Sequence, residues 1–105
     1  MSWLYLLLAG FSEVGWPVGL KMAQQGATRM TGIIIAVAFM TVSGFFLWLA
    51  QKEIPLGTSY AVWTGIGAAG TFFVGIFFYG DATSAGRFLG VSLIIAGIAT
   101  LRLAH

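Results

Sequence analysis

Two stretches of this chain, Ile33–Ala50 and Leu56–Tyr79, run for 18 and 24 residues without one charged side chain. An α-helix rises about 1.5 Å per residue and a bilayer's hydrocarbon core is about 30 Å thick, so about 20 apolar residues cross it. Where lipid replaces water, the backbone polar groups must bond within their own segment, which dictates helix. Composition closes the soluble alternative. The chain is 59% hydrophobic and 8% charged with a mean hydropathy of +0.96, whereas soluble domains carry about 25% charged residues to solvate their surface. The sequence therefore predicts an all-α membrane protein.

Two further spans complete the set. Trp3–Leu20 is apolar except for Glu13, and Phe88–Leu101 is flanked by Arg87 and Arg102, whose stems extend a short span by reaching to the headgroups. The expected spans cover approximately residues 3–20, 33–50, 56–79 and 86–103 of a single integral membrane domain, 1–105. The connections are KMAQQGATRMTG, QKEIP and GDATSAGR. MSWLYLLLAGF has no basic leader and precedes three more spans, so it is expected to stay as a span rather than be cleaved.

Several functions are excluded by what the chain lacks. Without cysteine there is no disulfide, thiol nucleophile or cysteine-metal site. His105 is the lone histidine, so no metal cluster is expected; no nucleophile–base pair suggests an enzyme, and no cofactor is implied. Five bases spread along the chain form no run that would bind nucleic acid. With four spans, Lys52 and Arg102 fall on one side and Lys21, Arg29 and Arg87 on the other. That near balance fits either a weakly specified orientation or insertion both ways, and charge counting does not choose between them.

Glu13 carries the chemistry. An ionised carboxylate in mid-bilayer costs several kcal/mol, with scales starting near ~2.5, so such residues face a bundle interior or a wet cavity. Helical spacing places Leu6, Ala9, Gly10, Glu13, Trp16, Pro17 and Leu20 along one side, with Gly10 leaving room beside the carboxylate and Trp16 supplying a wall with one N–H donor. No base lies within a span to neutralise Glu13, so its counter-charge is a proton or a cationic ligand. Desolvation favours the protonated form, and the two would compete for one site. The alternative is a permanently protonated structural Glu. Pro17 removes the N–H that the Glu13 carbonyl would accept, which predicts a bend one turn from the site or, more simply, a harmless kink.

In the third span Tyr60, Trp63, Thr64 and Gly67 share a face by their i, i+3, i+4, i+7 spacing. Its aromatics suit cations and its O–H and N–H groups suit a carboxylate; an interfacial aromatic belt is the plainer reading. Gly65, Gly67 and Gly70 mark a place for that helix to bend. Ser43 either reaches the same pocket or bonds its own backbone. In the fourth span Gly90, Ile94 and Gly97 share a face suited to close helix contact across a homodimer.

Taken together, AGFSEVGWPVGLK, IPLGTSYAVWTGIGAAG and GVSLIIAGI resemble the small multidrug resistance family, over nearly the whole chain. Trp16 and the GTSYAVWTGIG form are similar to its guanidinium-exporter branch. The resemblance implies an antiparallel, dual-topology homodimer in the bacterial inner membrane, exporting guanidinium-type cations in exchange for protons by alternating access. By the same resemblance, both copies of Glu13 bind proton and substrate competitively. Trp16, Ser43, Tyr60 and Trp63 line the site, Gly10 gives space, the third-span glycines bend, and the fourth spans make the dimer contact. Against the family pattern, Pro17 stands where a small or aliphatic residue is more usual, and Arg102 where lysine is commoner. A broader exporter of quaternary ammonium cations and a non-transporting membrane subunit are the alternatives.

Overall fold

The computed structural model describes residues 1–104, so His105 lies outside the described residues. Among them the chain forms four long helices: α1 (Ser2–Ala23), α2 (Arg29–Ala50), α3 (Leu56–Tyr79) and α4 (Ala85–Ala104). Each is long and apolar enough to cross a membrane. Both α1 and α2 have 22 residues, or about 33 Å at 1.5 Å per residue.

The helices outrun the apolar stretches that announce them. α1 continues past Lys21 to Ala23, and α2 starts at Arg29, ahead of the uncharged run at Ile33. The first connection, expected to span Lys21 to Gly32, shrinks to residues 24–28 with a 3₁₀ turn at Gly26–Thr28. Hydropathy marks where lipid begins, but a hydrogen-bonded helix has no reason to stop there. Lys21, in the last turn of α1, also complements the negative end of the helix dipole. Thr28 closes the turn by donating from Oγ1 to the Met22 carbonyl at 2.6 Å.

Burial follows residue size in the direction opposite to a soluble core. Ala9, Gly10, Gly19, Gly32, Ala36 and Ala50 are buried, whereas Leu4, Phe11, Ile34, Val37, Phe45 and Phe77 are exposed. In lipid there is no gain from hiding large apolar side chains, so small ones go inside and let backbones approach. α1 sits between α2 and α3, and α4 packs along α3. One end of the bundle has a compact cluster of Leu6, Ala50, Ile54 and Val62. Ile54 comes from the QKEIP connection and is only 1% exposed, so this loop plugs the bundle as well as joining α2 to α3. At the same end the Arg102 guanidinium lies 5.0 Å from the centre of the Trp3 ring, tying α4 to α1.

The chain measures 45 × 34 × 17 Å. The four helices make a slab whose interior holds Leu6, Ser43, Ala50, Ile54 and Val62, all buried.

The other half of the α1–α2 contact depends on glycine. A Cβ added at Gly19 would lie 2.6 Å from the Ala36 nitrogen and 2.7 Å from the Gly32 carbonyl oxygen, both backbone atoms. Neither can move aside as a side-chain tip would. Gly19→Ala is therefore expected to lower stability by about 1–3 kcal/mol, measured by denaturant unfolding in detergent. Gly26→Ala, where nothing lies within 4 Å, serves as the control and should leave the midpoint unchanged.

Candidate functional site

The site forms where α1, α2 and α3 meet. Glu13 projects from the middle of α1 onto Gly67 of α3, so closely that a Cβ at Gly67 would fall on the Glu13 side chain. One turn along α1, the Trp16 indole N–H donates to Glu13 Oε1 at 2.5 Å. The i, i+3 spacing brings the two side chains onto the same stretch of helix surface.

Ser43 links all three helices. Its Oγ donates to the Ala9 carbonyl of α1 at 2.6 Å, accepts the Trp63 indole N–H of α3 at 2.7 Å, and lies 3.3 Å from Glu13 Oε2. A hydroxyl has one hydrogen, and the shorter contact assigns it to Ala9. Ser43 is completely buried. The backbone it bonds belongs to a neighbouring helix rather than its own, and its side chain comes within 3.3 Å of the Glu13 carboxylate without lining the cavity beside it.

A cavity of about 400 Å³ opens beside the carboxylate, lined by Glu13, Pro17, Thr64, Gly67, Ala68, Thr71, Phe72 and Asp81. Thr71 and Asp81 were not singled out by sequence. Thr71 follows Gly67 by four residues and could have been added to that face, but Asp81 lies in a connection with no periodicity to read.

The remaining expected residues fall into different places. Trp63 joins the network through Ser43. Tyr60 enters through its ring, 5.5 Å from Trp63 between centroids and tilted by 52°, and is 56% exposed in the single chain. Gly10 does not open space beside Glu13: it is buried, and a Cβ there would sit 2.6 Å from Ile66 Cβ. Its lack of a side chain is used for close α1–α3 contact, and the room for a guest lies toward Gly67 and Thr71. Gly65 packs under Ile98 of α4, and Gly70 under Val14 of α1. In this conformation α3 is unbroken through all three glycines, as α1 is through Pro17. Pro17 lines the same cavity as Glu13. Gly90 and Gly97 of α4 have nothing within 4 Å of a Cβ position, and Ile94 is 38% exposed. Ile94 also reaches α3, its Cγ2 3.3 Å from where a Cβ at Gly65 would lie, so this face is only partly open in the single chain.

Comparison with known proteins places the architecture. The family model described as Small Multidrug Resistance protein matches residues 1–94. The chain belongs to this small multidrug resistance family. Among its relatives, a protein named guanidinium exporter from Yersinia pestis is 48% identical over 104 residues, covering 99% of both chains. Proteins of the same name from Citrobacter freundii and Salmonella typhimurium are each 50% identical over 103 residues, covering 98% of this chain and 97% of theirs. Family membership and four spanning helices make this a multi-pass inner-membrane protein of a transporter family.

Because Ser43 is the one side chain bonded to both neighbouring helices at this level, Ser43→Ala should cost more than an exposed hydroxyl does. It leaves the Trp63 N–H without its acceptor and removes a cross-helix bond to Ala9, an expected loss of about 1–3 kcal/mol. Thr41, whose hydroxyl bonds its own helix at 2.8 Å and is exposed, provides the contrast. Thr41→Ala and Ser43→Ala with equal unfolding midpoints would show that the Ser43 bridge carries no stability.

Proposed function

We propose that this protein exports guanidinium-class cations in exchange for protons, with Glu13 holding one or the other. The observation that carries the reading is a carboxylate in a spanning helix, beside a cavity, with a neutral indole N–H as its donor. A carboxylate presents about four acceptor positions. Trp16 takes one and Ser43, whose hydrogen points elsewhere, at most one more. At least two positions remain. Guanidinium is planar, cationic and rich in N–H donors, so it forks onto a carboxylate as an arginine side chain does. A quaternary ammonium has no N–H to offer those positions. The names of the near relatives support the same cargo.

Exchange follows from competition. A proton on Glu13 removes the negative charge that attracts the cation, and a bound cation keeps the proton off. The Glu13 backbone carbonyl, which Pro17 one turn on cannot bond, belongs to the same residue as the carboxylate and adds an acceptor for water or a guanidinium N–H.

The lining of the cavity supports action as a homodimer. The Glu13 cavity is lined by α1, α3 and Asp81 alone, and a second copy closes it, bringing a second Glu13. The α4 face bearing Gly90, Ile94 and Gly97 makes the contact. Nearly even charge on the two sides suits an antiparallel pair of dual topology. Alternating access then uses the glycines of α3, Gly65, Gly67 and Gly70, as the place where one half of the helix turns against the other.

Proteoliposomes carrying one proton gradient, tested with guanidinium, guanylurea and a quaternary ammonium, should move the guanidinium compounds and discriminate against the quaternary cation. Equal transport of all three would favour the broader exporter. Glu13→Gln keeps shape but neither titrates nor attracts a cation, so transport should stop; normal transport would assign Glu13 a structural role. Lowering the pH protonates Glu13, so guanidinium affinity of the wild type should fall as pH falls. An affinity independent of pH would overturn the competition.

A further inference from the structure

A second carboxylate stands at the outer end of the cavity that holds Glu13, put there by the way α3 ends. Gly80 follows the last helical residue with φ +67° and ψ +27°, a left-handed conformation that glycine adopts freely. The chain doubles back, and the N–H groups of Gly80 and Asp81 both go to the Gly75 carbonyl, that of Asp81 at 3.0 Å. The Asp81 carboxylate then lies directly over Gly75, where a Cβ would occupy the position of its oxygen.

Gly67, Thr71 and Gly75 are spaced i, i+4, i+8 and form one strip of α3, about 12 Å long at 1.5 Å per residue. Glu13 covers the inner end of the strip, Asp81 the outer end, and the Thr71 side lies between. On the facing helix Glu13, Pro17 and Lys21 repeat the same spacing. Two adjoining cavities follow the strip. The inner one includes Glu13 and Gly67 in its walls, the outer one Lys21, Gly75 and Tyr79, while Pro17, Thr71 and Asp81 line both.

We propose that Asp81 is an outer cation-binding station on the transport route, where a guanidinium-class cation is held before passing along Thr71 to Glu13. The proposal rests on the guanidinium-export reading and adds the entry step to it. A carboxylate at a cavity mouth raises the local concentration of cations and speeds their capture. Lys21 keeps the station from becoming a trap. Its ammonium shares the mouth, 5.9 Å from the centre of the Tyr79 ring, and its positive charge weakens the hold of Asp81 on a second cation. A route conducts only if each site binds loosely enough to release. The turn itself needs only the backbone N–H of residue 81, so the carboxylate is free for this role.

The test is guanidinium transport by wild type, Asp81→Asn and Asp81→Glu in proteoliposomes, at ionic strengths of about 0.01 M and about 1 M, where the Debye lengths are about 30 Å and 3 Å. At low ionic strength Asp81→Asn should raise KM roughly tenfold. Its kcat should stay within about twofold of wild type, since the station acts before the committed step. High ionic strength should remove most of the difference, and Asp81→Glu should restore a KM near wild type. Asp81→Ser, scored in the same way, guards against a folding defect specific to Asn. If wild type moves guanidinium while Asp81→Asn and Asp81→Ser keep its KM at low ionic strength, the station is overturned and the export reading stands. A loss confined to kcat and indifferent to salt overturns it too, pointing to a structural role. If wild type moves no guanidinium at all, the export reading fails and the station falls with it.

Discussion

Glu13 is a carboxylate in the middle of a membrane-spanning helix whose one base, Lys21, stands two turns away in the last turn, and much of the bundle is arranged around that expense. One Glu13 oxygen accepts the indole N–H of Trp16, and the other lies 3.3 Å from the Ser43 hydroxyl, whose hydrogen goes to Ala9. Gly67 keeps α3 close enough to cover its methylene groups without displacing its head. Neutral partners stabilise the charge less than a cation would, so the carboxylate retains an affinity that its own chain does not satisfy. An immobile arginine in the same place would quench that affinity.

Tight helix approach and a polar network usually conflict, because polar side chains need volume and close backbones deny it. Here the two are separated along α1. Gly19 and Gly32 bring α1 against α2 toward one end, backbone to backbone, and the Leu6, Ala50, Ile54 and Val62 cluster closes the other. Ser43 occupies the level between, small enough to be fully buried and polar enough to bond both α1 and α3. α4 stands apart, packed along α3 with Gly90 and Gly97 uncovered. The polar network thus sits in the three-helix part, and α4 is the least-packed helix.

The α3 glycines show how one residue type serves several ends. By sequence, Gly65, Gly67 and Gly70 mark weak points in a helix. In the folded chain the same three each receive a neighbour, Ile98, Glu13 and Val14. Close contact and the capacity to bend are compatible, since a helix held by side-chain tips on bare backbone has few interlocked side chains to disengage when it moves.

The number of helices and their membrane character were legible in the sequence, because each depends on local quantities: apolar run length and charge frequency. The shared faces of α1 and α3 were legible for the same reason, as they follow from helical period. Tertiary structure alone decided what those faces meet. It assigned Gly10 to Ile66 rather than to open space, gave Ser43 a cross-helix acceptor at Ala9, and moved Ile54 from a connection into the core. It also carried Asp81 back over Gly75 by the left-handed turn at Gly80. Periodicity specifies which way a side chain leaves its own helix, but the atoms that receive it lie tens of residues away, and their positions are set by how closely the backbones pack.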